Sequence, residues 1–146
     1  MEQSTFEFNK EFVFGEMGAW ISAPSVAFIV SQLTTSPETI SLSAVIGAMA
    51  GASAAWLTTR IYHHKRRSIF SIRRLAEDIY FFTPVAFLLS LFIYSPIVYL
   101  ISHYLLTHGD HVILAVIISQ LTAFAVIITV INIYRMLLHK HIGKEL

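Results

Sequence analysis

Cysteine is absent from the 146 residues, which removes disulfides, thiolate metal sites and thiol nucleophiles together. Charge is scarce: Asp, Glu, Lys and Arg make up 13% of the chain, against roughly 25% in an ordinary soluble domain. Apolar residues make up 55%. Missing too are a P-loop, a dinucleotide-binding glycine fingerprint, a His-Glu-x-x-His pair and a nucleophile elbow. No nucleophile, base and orienter stand together, so the reading is a protein that is not an enzyme and needs no cofactor.

The few charges leave long gaps. Between Glu16 and Glu38, and between Glu38 and Arg60, lie 21 residues each without Asp, Glu, Lys or Arg. Between Asp78 and Asp110 there are 31, and between Asp110 and Arg135 there are 24. A membrane-crossing helix takes about 20 mostly apolar residues. Each gap therefore predicts one crossing: about Phe12 to Thr35, Ile40 to Tyr62, Pro84 to Thr107 and Val112 to Leu138. Residues 1–11 carry Lys10 as their only basic residue and lack the positive start of a signal peptide, so the first crossing is expected to be retained. They read as a polar, frayed or interfacial lead-in.

What charge there is has been sorted. Arg60 to Arg74 holds six of the ten Lys and Arg residues, and the others are Lys10, Arg135, Lys140 and Lys144. With this basic strap in the cytosol, both termini are cytosolic and neither outer loop, near Glu38 or Asp110, contains a Lys or Arg. That is the positive-inside pattern. The strap, 63–82, reads as an interfacial helix with Ile69, Ile72, Leu75, Ala76 and Ile79 on one face. Lys65, Arg66, Arg67, Arg73 and Arg74 set topology and reach toward headgroups, anionic lipid among them. Basic residues at a membrane surface give no reason to expect nucleic acid. Residues 139–146 read as a mobile basic tail.

Sliding the chain by 72 residues, without a gap, aligns ten identical pairs over 42 positions. Pro24 meets Pro96, and Glu38 faces Asp110. The expected architecture is an all-α membrane protein of four transmembrane helices. They form two parallel, same-orientation helical-hairpin repeats, about 12–62 and 83–138, in a single membrane domain of the cytoplasmic (inner) membrane.

Polar residues inside the crossings supply the candidate site. Each repeat proline withholds an N–H, so a carbonyl one turn earlier needs a new partner, whether hydroxyl, water or ligand. Interrupted helices at matching places in two repeats point to a midplane binding site, against the plainer reading of a simple kink. Pro24, Ser25, Ser95, Pro96, Tyr99 and Gln120 are the candidate solute-binding residues. An unpartnered amide is costly in the bilayer, so Gln120 should face the bundle, bonding either another helix or solute. Glu16 is the candidate proton-coupling acid, or else a solvated interfacial glutamate. His103, His108 and His111 gather near Asp110, but without cysteine or a second acid they are not read as a metal site. On the second crossing, Ser43, Gly47, Gly51 and Ala55 form a small-residue ridge for close helix packing. That helix is expected to be the least lipid-exposed of the four, and the Ile- and Val-rich fourth helix more exposed.

Short motifs add a resemblance. Ala55-Trp56 and Tyr62 leading into the strap, Leu75-Ala76-Glu77-Asp78-Ile79, Ser95-Pro96 with Tyr99, and Gly109-Asp110-His111 resemble the small four-helix bacterial exporter family that includes the L-alanine exporter. The resemblance runs over about Ala55 to Gln120. It implies export of a small solute, with amino acids among the candidates. Without an ATP-binding motif, active export would draw on the proton gradient. Four helices barely enclose a path, so a homo-oligomer is expected. The competing reading is a non-catalytic integral membrane subunit that scaffolds a complex or binds lipid.

Overall fold

The computed structural model describes residues 2–66 and 88–142. Helix α1 spans Glu2–Ser31 and α2 spans Pro37–Arg66. A π-helical turn, Ser90–Tyr94, leads directly into α3, Ser95–Thr107, and α4 covers Val112–Ile142. No strand occurs among the described residues. Four segments are long and apolar enough to cross a bilayer: Val13–Ser31, Pro37–Thr59, Ser90–Thr107 and Val112–Val130. The chain thus reads as a multi-pass integral membrane protein, with four candidate crossings among the described residues.

The helix ends correct the sequence reading, and each correction has a local cause. Residues 2–11 are not a frayed lead-in but the first turns of α1. They contain neither Pro nor Gly to break the helix. At its other end α1 stops at Ser31, short of Thr35. Thr34 Oγ1 accepts the Ser36 amide at 3.2 Å, and the residue before Pro37 is sterically kept out of helical geometry. Ser36 then caps α2: its hydroxyl accepts the Thr39 amide at 3.4 Å and its carbonyl the Ile40 amide at 3.1 Å.

The far end of α2 runs through residues 63–66, so Lys65 and Arg66 sit on that helix rather than on a separate strap. The remainder of the strap, with Arg67, Arg73 and Arg74, and the Thr83-Pro84 helix start lie outside the described residues. Similarly, α4 runs on to Ile142, which makes residues 139–142 helix rather than tail. In both places the sequence lacks a helix breaker where its hydropathy falls.

Short links tie α1 to α2 and α3 to α4. The second link is closed by Gly109 at φ +88°, with the Asp110 amide donating to the Leu105 carbonyl and the Gly109 amide to the Leu106 carbonyl. This is a Schellman cap, which favours glycine at that position. Around the bundle, α1 packs on α2 and α4, and α3 packs on the same two helices. Hence α1 and α3 stand diagonally opposite.

The interior stripe of α1 is Glu16, Ala19, Ala23 and Ala27, at helical spacing. Val98 and Ser102 come from α3, and Val116, Ser119, Gln120, Ala123 and Ile127 from α4. The α1–α2 contact is the tightest. A Cβ on Gly51 would overlap the Ser22 hydroxyl and the Gly18 carbonyl, and one on Gly47 would lie 3.0 Å from Ala23 Cα. Ser22 Oγ crosses that gap to donate to the Gly47 carbonyl at 2.6 Å. Ser43 is buried, and Ala55 faces Gly18.

Despite that ridge, α2 is not the least exposed helix. One third (33%) of its crossing is buried, the same share as in the α1 and α4 crossings. Small residues cover only a narrow stripe, and the opposite side presents Leu42 and Ile46 outward.

Candidate functional site

One polar centre lies inside the bundle. Glu16 comes from the middle of α1, Tyr94 from the last position of the π turn, and Gln120 from the third turn of α4. Their exposures are 7%, 6% and 1%. The Tyr94 hydroxyl donates to Glu16 Oε1 at 2.6 Å, bridging the α1–α3 diagonal. The Gln120 amide nitrogen donates to the Ala19 carbonyl at 2.9 Å, fastening α4 to α1.

The π turn sets Tyr94 in place. Pro96 has no N–H, and an ordinary helical ladder could not close there. The Ser95 amide instead reaches back five residues to the Ser90 carbonyl. The widened turn leaves Tyr94 and Ser95 both buried. Such π turns inside helices are frequent at functional sites.

The centre is incompletely satisfied. Gln120 Oε1 and Ser95 Oγ are buried without a hydrogen-bond partner. Pro24, which is buried in α1, supplies no N–H to the Trp20 carbonyl. The nearby serines do not repair this: Ser25 Oγ donates to the Ile21 carbonyl at 2.7 Å, and Ser22 Oγ is shared between Gly18 and Gly47. An unpaired polar atom in a bilayer interior costs several kcal/mol, which favours a water or a ligand at such a place.

The sequence-derived residues therefore separate. Glu16 and Gln120 belong to this centre, Ser95 is buried next in sequence to Tyr94, and Pro24 is buried two turns along α1 from Glu16. Ser25 and Pro96 face outward, and Pro96 acts on the centre only through the π turn. Tyr99 is half-buried and stacks on His103, with ring centres 5.8 Å apart and planes within 6°. Burial also removes the solvated reading of Glu16. Tyr94 was not legible as a site residue. As one of six tyrosines it reads as an interfacial aromatic, and only its place before Ser95-Pro96 hints otherwise.

At the end of the bundle near the α3–α4 link the histidines disperse. His108 Nδ1 donates to the Tyr104 carbonyl at 2.8 Å while His103 stacks on Tyr99. Among the described residues no three His, Cys, Asp or Glu side chains are placed to share a metal.

No protein-family model, curated protein or solved structure matches this chain.

Proposed function

We propose that the protein exports small solutes across the cytoplasmic membrane in exchange for protons, with Glu16 as the proton-carrying group. The observation that carries this reading is the buried Glu16–Tyr94–Gln120 centre. Carboxyls inside membrane crossings are costly and characteristically mark proton or substrate paths. The bundle interior also holds two buried polar atoms without a partner, Gln120 Oε1 and the Ser95 hydroxyl.

The proposed topology places both termini and every Lys and Arg inside the cell, from the sorting of charge along the sequence. The two hairpins are read as same-orientation repeats, and the working unit as a homo-oligomer. The resemblance to the alanine-exporter family puts small amino acids on the substrate panel.

In the working cycle, a proton on Glu16 and a solute at the Gln120–Ser95 edge occupy the centre alternately. Tyr94 links the Glu16 carboxyl to the π turn, the segment of the third crossing already out of ordinary helical register.

The test is efflux of radiolabelled amino acids and amines from proteoliposomes under an inward proton gradient. Wild-type protein should accelerate efflux of at least one solute, and Glu16→Gln should return it to the leak rate. Wild-type vesicles indistinguishable from empty ones across the panel would refute the proposal.

A further inference from the structure

The four crossings contain two acidic residues and no Lys or Arg: Glu16, one turn in from the start of the first and buried in the bundle, and Glu38, at the start of the second; Asp110 lies in a loop. Glu16 thus has no cationic partner among the described side chains. The groups facing it are known from each packed element. Tyr94 comes from the π turn and is the one titratable group bonded to it among the described residues; Gln120, which donates to the Ala19 carbonyl, comes from α4, and Trp20 lies one turn along α1 itself. Where α2 approaches, at Gly15, it presents Ala52 and Trp56. His103 lies two turns beyond Ser95, toward the α3–α4 link.

A carboxylate enclosed this way needs a counter-charge, and a proton or a bound cation are the two that remain. The rest of the centre also selects for positive charge. Its unpaired Gln120 Oε1 is an acceptor only, and Pro24 withholds the usual donor from the Trp20 carbonyl. Nothing described within the centre offers an anion a positive group.

We infer that the exported solute is a small organic cation, a quaternary or protonated amine, which binds the Glu16 carboxylate in place of its proton. The inference rests on the exporter reading and narrows it to one charge class. One proton leaves the carboxyl for each cation bound, so charge at Glu16 is conserved through the exchange.

The experiment uses the full chain in nanodiscs, titrated calorimetrically with tetramethylammonium and with ethylammonium. Two buffers of different ionisation heat report the protons released. L-alanine and acetate serve as comparison solutes. At least one cation should bind with release of one proton, its affinity rising about tenfold per pH unit while Glu16 holds its proton, as linkage requires. Glu16→Gln should abolish proton release, and Glu16→Asp should retain it, which separates lost chemistry from lost folding. Failure of both cations to bind wild-type protein, or binding without proton release, overturns the inference. Proton-linked binding of L-alanine without cation binding overturns the charge class but leaves the exporter reading standing, whereas an absence of any efflux in proteoliposomes removes both.

Discussion

Gly51 of α2 and Glu16 of α1 mark the two faces by which α1 is held, one by close packing and one by a polar bond. Close approach of α1 to α2 depends on Gly51 and Gly18, where an added Cβ would overlap backbone and the Ser22 hydroxyl. In lipid this kind of close packing, rather than a hydrophobic force, holds helices together. Gly51→Leu should therefore force α1 and α2 apart and cost about 1–3 kcal/mol, the range for overpacking a filled interface. The check is unfolding by a denaturing detergent titrated into mild micelles, followed by loss of helix signal. An unchanged midpoint would show that the contact contributes little. Residues of this kind were legible in the sequence, because small side chains four apart have a periodicity. Tyr94 was not, because its role depends on a helix-register shift that no spacing rule reveals. Glu16 lay between: its type and place suggested a coupling acid, but its burial came only with the fold.

Elements show the same division between what hydropathy reveals and what it hides. The number of crossings followed from the gaps between charges. The helix ends did not, since hydropathy reports where lipid stops and helical hydrogen bonding continues past it. Helix α1, with 30 residues, is about 45 Å long, well beyond the ~30 Å hydrocarbon layer. The surplus turns fall at the start of α1 and at the ends of α2 and α4, which carry Lys10, Arg60, Lys65, Arg66, Arg135 and Lys140. The opposite ends close in short links free of Lys and Arg. This asymmetry predicts that reporter enzymes active only outside the cytoplasm will work when inserted at Ser36 or Gly109 and fail when fused to either terminus. The reverse pattern would invert the proposed orientation, and export with it. The paired prolines also turn out unequal: Pro24 is buried within continuous α1, and Pro96 faces outward behind a π turn. Their matching positions were visible in the sequence, but packing gave them different neighbours.

For the molecule as a whole, the four helices form a ring in which each touches two others, and the diagonal from α1 to α3 is bridged by Tyr94 and Glu16. A carboxyl at that crossing point is coupled to α1 directly and to the third crossing through Tyr94, while Gln120 fastens α4 to α1 at the Ala19 carbonyl. A change in what Glu16 holds is thereby felt by α1 and by the third crossing. The central claim is that Glu16 lies in the membrane interior and exchanges its proton there. The most direct measurement is labelling of the protein in vesicles with dicyclohexylcarbodiimide, a lipid-soluble reagent that adds to protonated carboxyls, followed by peptide mass mapping. Of the nine acidic residues, Glu16 should be modified first, more slowly as pH rises, and more slowly still when the exported solute is present. Modification of Glu2, Glu7 or Glu38 with Glu16 untouched, or labelling of Glu16 indifferent to pH, would contradict it.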